Sequence, residues 1–140
     1  MTFKPHEIEF LRQAELGRLA TIQRDGTPQN SPVGFFYNEE LGTIDIAGYQ
    51  MSKSQKFRNI AHHDKVAFVV DDITSRDPWR VRCLEIRGTA EQAEAAPAQA
   101  PGGDQLDTAI IRVTPKRIIS FGIDDQVSEP HQLVADIRDA

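Results

Sequence analysis

The sequence predicts a mainly β protein, α+β by count, in which a six-stranded antiparallel sheet closes into a small barrel with short flanking helices. The chain has 140 residues, which suits one domain with a single core. Its strand-like runs are separated by short turns, which favour antiparallel neighbours, and only a few stretches have helical periodicity. Closure into a barrel is then the natural way to remove the exposed edges of the sheet.

The first element is a predicted helix over residues 5–15. Pro5 suits the first helical position, and Ile8 and Leu11 repeat at helical spacing. Gly17 is the expected end of this helix, because glycine is common just past a helix C-terminus.

Strand patterns follow the helix. The runs are residues 19–23, 29–37, 42–48, 65–72, 79–91, 108–114 and 117–123. Asp25-Gly26 is a hairpin signal between the first two runs. Pro32 and Gly34 make the second run irregular, which indicates an edge, a bulge or a close neighbour to its backbone. Residues 66–70 are apolar throughout, which is typical of a strand buried on both faces.

The remaining segments are predicted to be loops or short helices. Residues 52–62 carry an apolar helical stripe and form the second predicted helix. Residues 73–78 are polar and predict a loop, and residues 90–105 are rich in alanine, proline and glycine and predict a loop of variable length. Pro115 is expected to join the last two runs as a strand pair. The acidic tail is predicted to hold one short helix over residues 131–138.

The charge balance excludes some classes of function. The net charge is -5 and the pI is near 5.3, whereas a nucleic-acid binder normally presents a basic face. No apolar stretch approaches the roughly 18 residues of a membrane span, and no signal peptide is evident, so no membrane association is expected. Cys83 is the single cysteine, which rules out an intrachain disulfide and fits a cytoplasmic protein.

The clearest candidate site is the start of the second helix, where lysines and serines alternate. Ser52 and Gln55 have the spacing of a capping box, and Ser54 is the other possible N-cap. The backbone N–H groups and the dipole of a helix start favour an anion. Lys53 and Lys56 oppose that dipole, so a bound phosphate explains them better than local stability does. The alternative is a solvated helix start with surface lysines.

Three pieces of sequence carry a resemblance to a known family: LATI…DGTPQ…PVGFFY, then SKSQKFRNI…KVAFVV, then EIRGTAE. Over residues 8–123 the chain resembles the pyridoxamine-phosphate-oxidase-like, FMN-binding split barrels. It looks closest to the subgroup that uses the deazaflavin coenzyme F420, which includes tailoring reductases of tetracycline-like antibiotics. The resemblance implies a split β-barrel and a homodimer with the cofactor site at the two-fold interface.

The whole chain is therefore expected to be one split-barrel domain, residues 1–140. Residues 1–17 would hold the N-terminal helix, residues 18–123 the barrel and residues 124–140 a C-terminal tail.

The resemblance also implies which residues hold the cofactor. The helix start would grip its phosphate, and the backbone of the second strand would lie along its ring system. The residues implied at these two places are Asn30, Ser31, Pro32, Val33, Ser52, Lys53, Ser54, Gln55 and Lys56. Trp79, Arg80 and Arg82 would face the cofactor of the other subunit, with ion pairs from the two arginines to Asp71 and Asp72 as the alternative.

The activity implied is that of a coenzyme F420-dependent oxidoreductase, which transfers a hydride between the reduced deazaflavin and an electrophilic double bond of a small molecule. One alternative is an FMN-dependent oxidase or reductase. The flavin-mononucleotide oxidases of the family use an arginine and a lysine where this chain has Ser31 and, approximately, Phe36, which disfavours FMN. Another alternative is a non-catalytic protein that binds flavin, deazaflavin or haem.

The polyglutamate tail of the deazaflavin needs a basic exit groove, for which Lys53, Arg58 and Arg76 are candidates. No side chain stands out as a catalytic acid or base. No histidine or cysteine has the spacing of a metal ligand set, so no metal is expected, and the substrate is not predicted.

Overall fold

A computed structural model describes residues 2–95 and 106–140, which form two α-helices and eight strands of one sheet. The elements are α1 (Pro5–Gln13), β1 (Leu16–Ile22), β2 (Pro28–Gly34), β3 (Phe36–Asn38), β4 (Thr43–Ile46), α2 (Gln55–His62), β5 (Lys65–Arg76), β6 (Trp79–Glu94), β7 (Ala109–Phe121) and β8 (Asp136–Asp139). Short 3₁₀ turns lie at Met51–Lys53 and Pro130–Gln132. Neither described helix is long and apolar enough to cross a bilayer.

The sheet is antiparallel and curves back on itself. Its strand order is β2-β1-β5-β6-β7-β4-β3, and β8 pairs with β7. The two outermost strands, β2 and β3, are separated in sequence only by Phe35. Because neighbouring strands lie about 4.8 Å apart, one residue cannot span the width of a flat sheet of this order, so the two ends must come together. The eight strands exceed the predicted six because the irregular second run divides at Phe35 and the tail adds β8.

Apolar side chains fill the interior of the barrel. The largest fully buried ones are Phe3, Phe68, Leu11, Leu19, Ile44, Ile46, Met51, Leu84, Ile86, Ile110, Ile111 and Ile118. They come from α1, from the 3₁₀ turn before α2 and from most strands, so burial of each, at about 1.5–3 kcal/mol, stabilises the contacts between distant parts of the chain.

The first helix begins at Pro5 as predicted, but the prediction that Gly17 ends it is wrong. α1 ends at Gln13, where the N–H of Ala14 donates to the carbonyl oxygen of Phe10 at 3.1 Å. Gly17 lies inside β1, and a Cβ there would lie 2.3 Å from Cζ of Phe68. The glycine is therefore required by the close packing of that ring.

The hairpin of β5 and β6 differs from the prediction in two ways. The predicted loop over residues 73–78 is reduced to a turn at Asp77 and Pro78, because β5 continues to Arg76 and pairs there with Trp79 of β6. Residues 66–70 are not buried on both faces, because their burial alternates along the strand. The second face of β5 is only half-covered within one chain.

The final predicted strand pair is a single long strand, β7. Pro115 does not turn the chain, because it lies within the strand opposite Gly88, where the register between β6 and β7 shifts. A Cβ at position 88 would lie 2.1 Å from the carbonyl oxygen of Thr114, so this crossing needs glycine. The irregularity accommodates a proline, which has no N–H for a sheet ladder.

The tail is extended rather than helical, so the predicted helix over 131–138 is wrong. A 3₁₀ turn is followed by β8, which pairs Arg138 with Ile118 of β7. Arg138 also donates to the buried carboxylate of Glu7 on α1. The predicted loop over 90–105 begins late, because β6 runs to Glu94, and residues 96–105 lie outside the described part of the chain.

Candidate functional site

The start of α2 is capped by Ser54, the second of the two predicted possibilities. Its hydroxyl accepts from the N–H of Phe57 at 3.3 Å and donates to the carbonyl oxygen of Met51 at 2.7 Å. The predicted capping box of Ser52 and Gln55 is wrong, because the Gln55 side chain donates along the helix to Asn59 at 2.7 Å.

Ser52 is fixed by a carboxylate just before β7. Its N–H and its hydroxyl donate to Asp107 Oδ2 at 3.0 and 2.6 Å. The hydrogen bond from the Ser52 hydroxyl, followed by those from backbone N–H groups, lowers the pKa of Asp107 to about 2. The carboxylate therefore stays charged at neutral pH and anchors the 3₁₀ turn that leads into α2.

Two lysines mark the start of α2, Lys53 just before the helix and Lys56 in its first turn. Among the described residues, no carboxylate lies within ion-pair distance of Lys53 or Lys56. Within the same part of the chain, the N–H groups of Gln55 and Lys56 have no hydrogen-bond acceptor. An anion at this helix start would meet backbone donors and the positive end of the helix dipole, on a segment that carries two lysines.

A buried polar network joins α2 to β2. Asn59 is 1% exposed, and its amide donates to Thr21 Oγ1 at 3.0 Å and to Gln29 Oε1 at 2.9 Å. Gln29 in turn donates to the Ser31 hydroxyl at 3.3 Å, and Gln55 donates to the other side of Asn59. The structure therefore holds together the two segments predicted to bind the cofactor. Because these partners lie on different elements, the local pattern around Asn59 gave no signal of its role.

Within β2 the predicted residues face different ways. Asn30 and Pro32 are exposed, Ser31 is half-buried and the side chain of Val33 is in the core. Val33 can therefore contact a ligand through its backbone but not through its side chain. Pro32 is tolerated because β2 is the outer strand of the order, where a missing N–H leaves no internal ladder broken.

Gly34 has open space beside it. A Cβ built at this position meets no heavy atom within 4 Å, and the backbone is not in the left-handed region. The packing of this chain therefore does not require glycine at position 34, in contrast to positions 17 and 88.

The other three predicted residues lie elsewhere, at the beginning of β6. Trp79 is 54% exposed and Arg80 donates to the carbonyl oxygen of Ser128 at 2.8 Å. Arg82 forms an ion pair with Asp72, which is one of the alternatives predicted, and its guanidinium lies 4.8 Å from the centre of the Phe10 ring. The α2 helix contacts the opposite end of β6, where Gln92 donates to the Phe57 carbonyl oxygen. Within one chain these residues are thus not part of the α2 site, and their contact with a second subunit's cofactor stays a prediction.

Among the described residues, the cysteine and the two tyrosines are weak acid–base candidates. Cys83 is half-buried, and burial, followed by the charges of Asp71 and Glu85, raises its pKa to about 11, so the thiol is protonated at neutral pH. Burial also raises the pKa of Tyr37. Tyr49 is 65% exposed and lies between β4 and the 3₁₀ turn. Among the described residues, histidine, cysteine and acidic side chains form no group of three that suits a metal.

Comparison with known proteins shows the family of this chain. Residues 3–122 match the family profile described as Pyridoxamine 5'-phosphate oxidase. The chain is 45% identical over 132 residues to the 5a,11a-dehydrotetracycline/5a,11a-dehydrooxytetracycline reductase of Streptomyces rimosus subsp. rimosus. The alignment covers 91% of this chain and 89% of that protein.

Solved structures share the fold. A conserved hypothetical protein from Mycobacterium tuberculosis superposes with a TM-score of 0.71 at 20% identity, over 92% of each chain. A structure described as an F420 reductase has a TM-score of 0.61 at 26% identity, over 83% of this chain and 97% of that one. These similarities confirm the predicted fold class.

Proposed function

Because this chain belongs to the pyridoxamine 5'-phosphate oxidase family, we propose that it is a reductase that uses coenzyme F420 to reduce an electrophilic carbon–carbon double bond. Two similarities support the proposal. The Streptomyces relative is a reductase of 5a,11a-dehydrotetracyclines, and a solved structure that shares the fold is an F420 reductase. A dehydrotetracycline-type compound is therefore the substrate to test first.

The observation that carries the proposal is the positive start of α2. Lys53, Lys56 and the two N–H groups without acceptors make a place for a phosphate, and the Asn59 network holds β2 beside it. The residues present therefore fit the phosphate of a nucleotide-like cofactor. They fit FMN less well, because β2, with the sequence PQNSPVG, supplies no cation.

Bound at this site, the reduced deazaflavin would supply the hydride from its ring carbon. The tasks left to the chain are binding, orientation and exclusion of water. The α2 start would hold the phosphate, and the exposed face of β2 would leave room for a flat ring. The hairpin of β5 and β6 would come from a second subunit, as the resemblance implies for the homodimer.

Replacing Lys56 by alanine is expected to weaken deazaflavin binding about tenfold or more, on the order of the 1.5–3 kcal/mol of a charged hydrogen bond. Fluorescence titration with coenzyme F420 gives the dissociation constant, and a parallel titration with FMN tests the alternative cofactor. Lys65→Ala is the matched control, because it removes the same charge from the surface groove of β1, β5 and β6. Unchanged affinity for coenzyme F420 in Lys56→Ala would contradict the proposed site. A loss of affinity found only in Lys65→Ala would indicate that the phosphate binds in that groove instead.

Replacing Gly34 by alanine separates binding from folding. Since an added Cβ meets nothing in this chain, the free energy of unfolding is expected to change by no more than about 1 kcal/mol, with stabilisation the favoured direction. Against a ring that approaches the backbone of β2, the same methyl group is expected to lower coenzyme affinity about tenfold. Urea unfolding and the fluorescence titration measure the two quantities, and equal cofactor affinity would show that the ring lies elsewhere.

A further inference from the structure

A second concave site lies where β6 begins and β7 ends. It is a cavity of about 440 Å³ with an entirely apolar set of side chains. They are Trp79, Val81, Phe121, Pro130, Leu133 and Ala135. We call it the Trp79 pocket.

The wall of the Trp79 pocket that comes from the tail is held by polar contacts. Arg80 donates to the carbonyl oxygen of Ser128 at 2.8 Å, so the strand that carries Trp79 also ties down the tail. Asp125 accepts from the N–H groups of Val127 and Ser128 at 3.0 and 2.9 Å. The tail leaves β7 at Gly122, which has a φ of 74°. These contacts hold the tail against the ends of β6 and β7.

The size and lining of the pocket favour a small aromatic molecule as its occupant. Cavities of roughly 300–1,000 Å³ with apolar walls hold small organic ligands. Trp79 is the chain's single tryptophan and leaves 54% of its surface exposed, so a flat face is open for stacking.

The pocket offers its occupant apolar side chains. Arg80 lies between Trp79 and Val81 on β6 and is not one of the lining residues, because successive side chains of a strand point to opposite faces. The chemistry that fits the pocket is therefore a largely apolar ring system with a flat aromatic part.

We propose that the Trp79 pocket binds the ring system of the substrate, a polycycle whose flat aromatic part stacks on Trp79. This inference rests on the proposed reductase activity and homodimer, because within one chain the pocket and α2 lie at opposite ends of β6, and the pocket would therefore face the cofactor of the other subunit. It also gives the tail a function, since Pro130, Leu133 and Ala135 select what fits.

The test is isothermal titration calorimetry with oxytetracycline, the compound that reduction of 5a,11a-dehydrooxytetracycline yields. The full chain is titrated alone and saturated with coenzyme F420. Trp79→Ala is expected to weaken oxytetracycline binding about tenfold, and Trp79→Phe, which keeps an aromatic face, to stay within about threefold of the unsubstituted protein. Leu41→Ala is the matched control, because Leu41 is also 54% exposed but lies in the turn between β3 and β4.

The outcomes separate this inference from the proposed function. If coenzyme F420 binds but Trp79→Ala leaves oxytetracycline affinity unchanged, or if Leu41→Ala causes the same loss, the pocket assignment is wrong while the cofactor site stands. If oxytetracycline binding depends on Trp79 but the coenzyme does not bind, the pocket assignment stands and the proposed cofactor is wrong. Absence of oxytetracycline binding with and without coenzyme would overturn the pocket assignment. Thermal unfolding of both Trp79 variants verifies that they fold.

Discussion

Replacing Glu7 by alanine is expected to lower the free energy of unfolding by about 3–5 kcal/mol. The carboxylate is 0% exposed and accepts from the N–H of Lys4 at 2.8 Å and from the Ser120 hydroxyl at 2.6 Å. It also forms an ion pair with Arg138. Removing it leaves the buried Ser120 hydroxyl without its acceptor, and leaves the partly buried guanidinium of Arg138 with Asp136 and the Thr2 carbonyl oxygen but without its main counter-ion. This loss costs more than that of one surface ion pair.

Urea unfolding of the two proteins measures this difference. Glu9→Ala is the matched control, because Glu9 is an exposed glutamate on the same helix, and its loss is expected to change stability by no more than about 0.5 kcal/mol. A loss below about 1 kcal/mol for Glu7→Ala would contradict the structural role given to this carboxylate.

The same contact predicts a pH dependence. Burial raises the pKa of Glu7, but the hydrogen bonds from Arg138, Ser120 and the Lys4 N–H outweigh it, so the pKa lies below the ordinary value of 4.5. The stabilisation that the Glu7 carboxylate gives the folded protein is therefore complete above pH 4.5. It is lost as the pH falls through the lowered pKa that Glu7 has in the folded state. The melting temperature, measured from neutral to acidic pH, should fall more steeply for the unsubstituted protein than for Glu7→Gln.

Replacing Asp45 by alanine is expected to cost a similar 3–5 kcal/mol. Asp45 is 0% exposed on β4 and accepts two hydrogen bonds from Arg112, at 3.0 and 3.1 Å. It also accepts from Thr43 and Asn38 at 2.8 and 2.9 Å, so it joins β4 to both β7 and β3. The hydrogen bonds to Asp45 raise the pKa of Arg112.

A second arginine–aspartate pair provides the control for Asp45. Arg18 on β1 and Asp71 on β5 form an ion pair with 2.7 Å between Nη1 and Oδ1, but both side chains are more than two-fifths exposed. Asp71→Ala is therefore expected to cost no more than about 1 kcal/mol. Equal losses of unfolding free energy in Asp45→Ala and Asp71→Ala would show that burial is not what makes the Asp45 contact strong.

Local sequence patterns correctly predicted the elements whose conformation is decided by residues close in sequence. Pro5 and the spacing of Ile8 and Leu11 predicted α1, and the Ser54 alternative predicted the N-cap of α2. The positively charged start of α2 was also predictable, because a helix start has its electrostatic preference whatever surrounds it, and phosphate binding there stays a prediction.

The errors arose where a distant partner decides the conformation. Pro115 is compatible with a strand because Gly88 of β6 lets the register shift opposite it. The tail is extended because β7 offers it an edge and Glu7 offers Arg138 a counter-ion. The position of Gly17 just after a helix pattern predicts a helix end, whereas its real role is to leave room for the Phe68 ring. Each of these contacts joins residues tens of positions apart, which periodicity in a short window does not register.

The pairing of Glu7 with Arg138 also sets an order of events during synthesis. The α1 sequence is synthesised long before its positive partner, which exists only after translation has passed position 138. Until then the nascent helix holds a charge that resists entry into the interior. Final docking of α1 is therefore expected to wait until Arg138 has left the ribosome, and a product terminated before that residue would keep α1 accessible to proteases.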